Sequence, residues 1–357
     1  MMRYKTFYKP VILWCVSMTL ISASCKKESQ APKPGEQQAT TFTNPLLNAA
    51  PDPFVFQKDT TYYYLHTIGN RIQIWKTNKM SRLKDVAPIT VFTPPASGGN
   101  SRDIWAPELF FLDGKWYIYY TGTDGNDREH RMWVLENASA DPTQGTWTDK
   151  GKLITQPADL WSIDATVFQR DSSLFLIWSG RPFASGATDL TQNLYISRMT
   201  NPFTLTGPTV LISSPQYDWE KRGFAVNEGP EILRNAAGQE FLVFSGSYCG
   251  DDRYSLGIIS LKAASDPLDI RSWTKAPAPI FTGLASANAF GAGHNGFFKS
   301  RDGKEDWIIY HANSAAGEGC DDSRNARMQK FTWTADGLPN FGEPVATGQA
   351  IKVPSGE

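Results

Sequence analysis

The sequence lacks the features that mark several common functional classes. Its 35 Lys and Arg residues are balanced by 36 Asp and Glu residues, so the formal net charge is −1 and no basic patch is present. This balance argues against nucleic acid as a partner. Helical periodicity is scarce, and the apolar stretch at residues 10–21 is shorter than the ~20 residues that a membrane-spanning helix needs. We therefore expect neither a nucleic-acid-binding protein nor a helical membrane protein.

Cysteine is scarce as well, with four residues in the chain of 357. Positive charges within residues 1–9 precede the apolar stretch, and small residues at 22–24 lie directly before Cys25. This order resembles a bacterial lipoprotein signal. We predict a signal peptide at residues 1–25 with lipidation of Cys25; simple secretion is the alternative.

A lipid on Cys25 would export the protein and hold it at a membrane only through that anchor, in the periplasm or at the cell surface. Residues 26–44 are rich in Gln, Pro, Lys and Thr, a composition typical of a flexible linker. The folded domain is therefore expected to span residues 45–357.

An internal repeat fills that domain. Five segments each combine a turn holding a carboxylate, Pro or Gly with a strand, a polar turn and an aromatic strand; they begin at Pro51, Trp105, Ile163, Glu228 and Gly293. The steps between repeats are 54, 58, 65 and 65 residues when they are superposed on Pro53, Pro107, Ala165, Pro230 and Asn295. These steps are near the period of roughly 50 residues at which propeller blades repeat. One blade per step gives five blades.

A second recurrence follows each of these hairpins. Short alternating runs of β-branched and aromatic residues begin at Asn70, His130, Gln192, Tyr254 and Ala326. With one further strand before the next hairpin, they complete four antiparallel strands per blade. The sequence therefore predicts an all-β fold, a five-bladed β-propeller, and leaves no stretch for a second domain.

The two remaining cysteines, Cys249 and Cys320, each follow the second strand of a hairpin, in consecutive blades. They are therefore expected in neighbouring loops on one face of the propeller. An exported protein permits a disulfide there. We predict a Cys249–Cys320 bridge, with two free thiols as the alternative.

Three carboxylates, Asp52, Asp164 and Glu228, lie where innermost strands start and converge on the central channel. Acids that meet in an enclosed site raise each other's pKa, which keeps one of them protonated near neutral pH. Glycoside hydrolysis needs an acid that protonates the leaving oxygen and a carboxylate that activates water or attacks directly. Asx turns would explain any single Asp, but three acids at equivalent places favour chemistry.

Glu231 lies only three residues after Glu228, and the repeat distinguishes the two acids. Glu231 superposes on Glu108, in a blade that lacks the other acidic features, which suggests a packing role for both. Glu228 superposes on positions where no other acid occurs. We therefore assign the chemistry to Glu228.

These residues lie in motifs that together resemble glycoside hydrolase family 43. The motifs are, in chain order, PDPF around Asp52, WAPE from Trp105, IDATVF around Asp164, NEGPEI around Glu228 and GAGHNGF around His294. The resemblance implies an inverting hydrolase with Asp52 as general base and Glu228 as general acid. It implies that Asp164 orients Glu228 and sets its pKa. It also implies that His294 lies in the central channel near a bound metal, commonly calcium.

Three of the implied or expected site residues have alternatives. Calcium prefers oxygen ligands, so His294 would need water as additional ligands; the alternative is a polar channel lining without metal. Arg327, at the start of the third strand of the last blade, resembles the substrate-binding Arg of the family, and an exposed strand position is its alternative. Trp105 is expected to stack on a sugar or to serve in packing.

The substrate is inferred from the segment YHANSAAGEGCDDSRNARMQKFTWTADGLPNFGEP, which begins at Tyr310, and from NRIQIWKT and VNEGPEIL. These segments resemble arabinofuranosidase-type members of the family. We expect a monomeric, exo-acting α-L-arabinofuranosidase that acts on arabinose-containing plant polysaccharides or oligosaccharides. β-Xylosidase and endo-arabinanase are the alternatives within the family. A non-catalytic glycan-binding lipoprotein is the alternative of another class, and it would not need the three acids.

Overall fold

The computed structural model describes residues 40–182 and 189–357. Five antiparallel sheets follow one another along these residues, and four consecutive strands pair in chain order in each sheet. The predicted five-bladed β-propeller with four strands per blade is therefore confirmed. The predicted signal peptide, Cys25 and linker residues 26–39 lie outside the described residues.

Each blade runs from an innermost to an outermost strand. Blade 1 contains β2 (Phe54–Lys58), β3 (Thr61–Leu65), β4 (Ile72–Thr77) and β5 (Ile89–Phe92). Blade 2 contains β6 (Arg102–Leu112), β7 (Lys115–Thr123), β8 (Arg131–Asn137) and β9 (Thr148–Lys152). Blade 3 contains β10 (Ser162–Arg170), β11 (Ser173–Gly180), β12 (Asn193–Asn201) and β13 (Thr204–Ser213). Blade 4 contains β14 (Asn227–Arg234), β15 (Glu240–Gly246), β16 (Ser255–Leu261) and β17 (Trp273–Lys275). Blade 5 contains β19 (Phe290–Lys299), β20 (Asp306–Asn313), β21 (Asn325–Trp333) and β22 (Pro339–Asn340).

The other elements are short. An additional strand of blade 4, β18 (Phe281–Thr282), pairs with β16, and β1 (Thr41–Phe42) pairs with β23 (Ile351–Lys352). The 3₁₀ helices of the described residues are Met80–Asp85, Asp127–Glu129, Asp218–Glu220, Ile270–Ser272 and Ala285–Ala287. Within the part of the chain that the structure describes, no helix is long and apolar enough to cross a membrane.

The hydrophobic core lies between the blades. Because side chains alternate across a strand, Tyr62 and Tyr64 of β3 pack against blade 5 while Tyr63 packs against blade 2. Each of the five core clusters in the described residues joins two adjacent blades in this way, including blade 5 to blade 1. Aromatic-rich strands thus supply the apolar layers that hold the ring of blades together.

The segment before blade 1 closes the ring by pairing with blade 5. The Asn44 side chain donates to the carbonyl of Met328 at 3.0 Å and accepts from its N–H at 3.0 Å. The N–H of Leu46 donates to Ala326 O at 2.8 Å, and the N–H of Ala50 donates to Arg324 O at 2.9 Å. The chain therefore enters blade 1 along β21 of the last blade, and the next residues lead directly to Asp52.

Candidate active site

A cavity of about 650 Å³ opens where the innermost strands start, and residues of all five blades line it. Asp52, Asp164 and Glu228 all contribute to its wall, as do His294 and Trp105. The structure thus brings together the three predicted acids, the predicted histidine and the predicted tryptophan. Each of the three acids is less than one-tenth exposed.

The backbone at the blade starts explains how these side chains reach the cavity. One residue per blade has a left-handed conformation at the equivalent place: Asp52, Ala106, Asp164, Gly229 and His294, with φ between 42° and 55°. Asp and Gly tolerate this conformation better than most residues. The bend that it introduces turns the Asp52, Asp164 and His294 side chains into the channel mouth.

Blade 4 has glycine at this place, and its acid is one residue earlier. A Cβ atom on Gly229 would lie 3.1 Å from Cγ of His294, so the imidazole ring occupies the space that a side chain would need. Glu228, directly before the glycine, reaches the cavity instead. The close packing of His294 on Gly229 therefore accounts for the Gly at this position.

Asp52 is held by hydrogen bonds on both carboxylate oxygens. Arg324 Nη1 donates to Oδ1 at 2.9 Å, and the Thr67 hydroxyl donates to Oδ2 at 2.7 Å. His294 Nδ1 lies 3.2 Å from Oδ1. Burial alone would raise the pKa of Asp52, but the Arg324 guanidinium and then His294 outweigh it and hold the pKa well below its usual range. Asp52 is therefore a carboxylate at neutral pH.

The main chain of Asp52 has a side-chain partner as well. Its N–H donates to His311 Nδ1 at 3.1 Å. Burial lowers the pKa of His311 to about 3, so the ring is neutral and Nδ1 can accept. A neutral, buried histidine thus fixes the left-handed backbone that presents the Asp52 carboxylate.

Glu228 has the opposite protonation behaviour. Burial is the largest cause and raises the pKa of Glu228 to about 7; the charge of Asp52 raises it further, against a hydrogen bond from Tyr254. The Tyr254 hydroxyl donates to Oε1 of Glu228 at 2.9 Å, and its ring stacks on His311 with centroids 5.7 Å apart. With Oε1 accepting from Tyr254, Oε2 is left to carry the proton of the acid form.

Asp164 is the third buried acid. Burial raises its pKa to about 7; His294 lowers it, and the charge of Glu228 raises it again. Its Oδ2 accepts from the N–H of Gly229 at 3.0 Å, which ties the residue after Glu228 to blade 3. Asp164 and Glu228 therefore compete for protons near neutral pH and are linked through the backbone.

The three environments change the pKa values in two directions: the pKa of Asp52 is lowered, and those of Asp164 and Glu228 are raised. A group with a lowered pKa serves as a general base, and a buried acid with a pKa near 7 serves as a general acid. Asp52 and Glu228 meet these two requirements across one enclosed cavity. Glycoside hydrolysis needs this pairing.

The profile of a family described as "Glycosyl hydrolases family 43" matches residues 42–339. The chain belongs to this family. Family 43 membership agrees with the resemblance carried by the motifs around the three acids.

Similar proteins with named activities include two enzymes from Streptomyces. The extracellular exo-α-(1→5)-L-arabinofuranosidase of Streptomyces avermitilis is 39% identical over 87% of this chain and 65% of its own length. The enzyme of the same name from Streptomyces chartreusis is 36% identical over 79% of this chain and 84% of its own length. The chain thus spans 65% of the length of the first relative.

A solved structure of a similar protein has the same fold. The crystal structure of the α-L-arabinofuranosidase from Lactobacillus brevis superposes with a TM-score of 0.80 and is 35% identical. The match covers 86% of this chain and 98% of that chain.

The structure corrects the position predicted for Arg327. Its side chain is fully buried and donates to Asn313 O and Ser314 Oγ, both at 3.1 Å, and it does not line the cavity. Arg324, three residues earlier, lines the cavity and contacts Asp52. The prediction was misplaced because β21 begins only at Asn325, so Arg327 lies within the strand and Arg324 lies in the loop at the mouth.

Trp105 lies in the cavity wall, whereas the two acids with a predicted packing role lie elsewhere. Trp105 lines the cavity, with its ring stacked on His130 at a centroid distance of 4.2 Å. Glu108 and Glu231 are buried but line no part of this cavity among the described residues. Burial raises the pKa of Glu231 to about 8. Their separation from Glu228 follows the distinction drawn from the repeat.

The side chains around His294 do not by themselves form a calcium site. Within residues 40–182 and 189–357, no group of three or more His, Cys, Asp or Glu side chains is arranged to hold a metal ion. Calcium takes roughly six to eight oxygen ligands, whereas His294 Nδ1 faces Asp52 Oδ1. Water would have to supply nearly all of the calcium ligands. No step of the mechanism proposed for the acids depends on a metal.

A disulfide joins two of the loops around the cavity. Cys249 follows β15 and Cys320 follows β20, with their Cα atoms 5.2 Å apart in a bridge. Both cysteines line the cavity, and Arg324 follows Cys320 by four residues. The bridge therefore lies between blade 4 and the loop whose arginine contacts Asp52.

Sequence reasoning missed four residues that hold the acids: Thr67, Tyr254, His311 and Arg324. All four lie at ends of second strands, at starts of third strands or in the loops between them, on the face where the innermost strands start. Arg324 had a usable signal, because the predicted disulfide already placed its loop at the channel mouth. The other three carried none beyond that general position.

Proposed function

We propose that the protein is an exo-acting α-L-arabinofuranosidase that hydrolyses glycosidic bonds with inversion. The observation that carries this proposal is the pair of buried carboxyl groups with opposite pKa changes, Asp52 lowered and Glu228 raised to about 7, in one cavity. Family membership supports a glycosidase, and the names of relatives 35–39% identical support the sugar. Arabinose-containing plant polysaccharides or oligosaccharides are the proposed substrates.

In the proposed mechanism, Glu228 donates its proton to the oxygen that links the terminal sugar to the rest of the chain. As this C–O bond breaks, a water molecule attacks the anomeric carbon from the opposite side. Asp52 accepts a proton from that water. The attack from the opposite side inverts the anomeric configuration, and water later returns both carboxyl groups to their starting states.

Asp164 acts in this scheme through Glu228. Its charge, when present, disfavours the charge of Glu228 and so keeps the general acid protonated to higher pH. Its hydrogen bond to the N–H of Gly229 fixes the backbone that carries Glu228. Asp164 is therefore a positioning residue and sets the pKa of Glu228.

The decisive experiment incubates the purified full chain with α-(1→5)-linked arabino-oligosaccharides and follows the products over time. An exo enzyme releases arabinose one unit at a time from the start of the reaction, and ¹H NMR shows the β-anomer first. Early release of di- and trisaccharides would indicate endo-arabinanase action. Turnover of xylobiose in place of arabinobiose would indicate a β-xylosidase, and first product with the α-configuration would contradict inversion.

The proposal includes export and anchoring through a lipid on Cys25. Both Streptomyces relatives are named extracellular, and the order of charged, apolar and small residues before Cys25 supports lipidation. The intact mass of the mature protein purified from membranes should equal that of a chain that begins at Cys25 plus the attached acyl groups. Cys25→Ser should move the protein from the membrane fraction to the soluble fraction; unchanged partition would contradict the anchor.

Calcium beside His294 stays a separate prediction from the sequence. Treatment with EDTA followed by assay, with and without added Ca²⁺, tests it. Loss of activity that Ca²⁺ restores would support a bound metal, and unchanged activity would leave His294 as a residue of the channel lining.

A further inference from the structure

We propose that Tyr248 forms the binding platform for the sugar unit on the leaving-group side of the scissile bond. This inference rests on the proposed function and adds the site that binds the remainder of the substrate. The ligand is a second arabinofuranosyl unit, which departs with the oxygen that Glu228 protonates.

The position of the general acid defines the side of the cavity on which the leaving unit lies. Glu228 starts the innermost strand of blade 4 and must contact the leaving oxygen, while the attacking water lies on the side of Asp52 in blade 1. Tyr248 follows β15 and Phe224 precedes β14, so both belong to blade 4. Both also line the cavity. The leaving unit therefore passes over the rim that these two aromatic residues form.

Tyr248 is also the most exposed of the aromatic residues that the structure describes in the cavity wall. Its exposed fraction is 38%, whereas Trp161 is 7% exposed and is covered by the Arg181 guanidinium, 4.0 Å from the ring centroid. Trp105 is stacked on His130. An exposed aromatic ring offers an apolar face to the C–H groups of a sugar ring.

Ring packing and backbone hydrogen bonds hold Tyr248 in place. It packs on Phe224 with centroids 4.6 Å apart. The Tyr248 N–H donates to Arg222 O at 3.0 Å, and the Arg222 N–H donates to Ser247 Oγ at 3.0 Å. These bonds tie the turn after β15 to the segment before β14. The platform is therefore fixed to the strand that carries Glu228.

Two glycines provide the space in which the ring lies. A Cβ atom on Gly250 would lie 2.4 Å from Cε1 of Tyr248, and one on Gly223 would lie 2.8 Å from its Cβ. A side chain at Gly250 would therefore displace the ring. A substitution at Gly250 therefore moves the Tyr248 ring without removing it.

The test compares two substrates that differ only in the leaving group. Arabinobiose places a sugar on Tyr248, whereas methyl α-L-arabinofuranoside places only a methyl group beyond the scissile oxygen. Tyr248→Ala should lower kcat/KM for arabinobiose about 10-fold, the loss of about 1.4 kcal/mol of transition-state binding, and leave the methyl glycoside within about twofold. Tyr248→Phe, which keeps the ring, should resemble the wild type. Gly250→Ala should lower the arabinobiose value selectively.

Matched controls separate this result from general damage. Leu211→Ala removes another exposed apolar side chain, 42% exposed on β13 and outside the cavity wall, and should leave both substrates unchanged. If the ratio of kcat/KM for arabinobiose to kcat/KM for the methyl glycoside is the same in Tyr248→Ala as in the wild type, the proposal that Tyr248 forms the platform is wrong. A wild-type protein that hydrolyses neither substrate would instead overturn the proposed function, and the platform with it.

Discussion

At the scale of single residues, the site works through differences in environment between chemically similar groups. Asp52 and Glu228 are both carboxylic acids, and both are less than one-tenth exposed. Asp52 has a guanidinium on one oxygen and a hydroxyl on the other, whereas the Tyr254 hydroxyl is the hydrogen-bond partner of the Glu228 carboxyl within residues 40–182 and 189–357. The charge of Arg324 therefore decides which acid gives up its proton first.

Glu228→Gln should lose more activity on arabinobiose than on 4-nitrophenyl α-L-arabinofuranoside. The nitrophenolate needs little protonation to leave, whereas a sugar alkoxide depends on the general acid, whose contribution is typically about 10²- to 10⁴-fold. Steady-state kcat/KM on both substrates measures the difference. Glu231→Gln, a buried acid outside the cavity wall, is the matched control and should keep the wild-type ratio. Equal losses on the two substrates in Glu228→Gln would reject the acid role.

Arg324→Gln should move the acid limb of the pH profile of kcat/KM upward. The guanidinium holds the pKa of Asp52 well below its usual range, so its removal raises that pKa and protonates the base at higher pH. Arg324 also lowers the pKa of Glu228, so the basic limb should move upward as well. Arg324→Lys retains the charge and should preserve most of the wild-type profile. An acid limb that does not move in Arg324→Gln would exclude this electrostatic role.

At the scale of strands and loops, some residues of the site lie at positions that the repeat determines, and others lie in the loops that connect the strands. The acids at the starts of innermost strands could be predicted because turn residues recur at the same place in each repeat. Arg324 could not be placed in the same way, because its position depends on the length of one loop and on where β21 begins. Tyr254 lies directly before the third strand of blade 4 and His311 lies near the end of the second strand of blade 5, but the repeat gives no indication of which side chains these two residues contact. Strand order was therefore predictable, whereas side-chain partners across blades were not.

The disulfide belongs to this scale because it joins two connections. Replacing both Cys249 and Cys320 with Ser should destabilise the protein by about 4 kcal/mol in the chain-entropy model, given the separation of 71 residues. It should also lower kcat/KM, because the loop that carries Arg324 loses its link to blade 4. Urea denaturation and arabinobiose kinetics measure the two effects.

Reductant provides the control for the double variant. Dithiothreitol should shift the wild type toward the stability and activity of the variant, and it should not affect the variant. Wild-type stability and kinetics in the double variant would show that the bridge supports neither the fold nor the loop.

At the scale of the whole molecule, the ring of blades is closed by the segment that precedes Asp52. Asn44 bonds both the N–H and the carbonyl of Met328, and it is 2% exposed. Blade 1 and blade 5 share one core cluster, which contains Phe42, Trp307 and Met328. Since Asp52 follows this segment directly, closure of the ring and placement of Asp52 are coupled.

Asn44→Ala should therefore lower stability and activity together. Two buried backbone groups of Met328 lose their partners, which costs about 1–3 kcal/mol for each group left unpaired. Urea denaturation gives the stability, and kcat/KM at temperatures well below the melting point gives the activity. Asn70→Ala, at an exposed asparagine whose side chain accepts a hydrogen bond from the neighbouring Arg71, should change stability by less than about 0.5 kcal/mol. Stability of Asn44→Ala within that same range would contradict the closure role.

The left-handed residues at the blade starts occur in all five blades, yet only three of the five places carry an acid or histidine that enters the cavity. Ala106 adopts the conformation at φ 42° although its methyl group has no ionisable function. Backbone strain of this kind is often read as a sign of catalytic specialisation. Here the left-handed conformation is a feature of the repeated blade architecture. The chemistry arises because the same backbone conformation carries different side chains in different blades. Exchange of a side chain at any of these five places would therefore change what the channel mouth presents to a substrate without requiring a new backbone conformation.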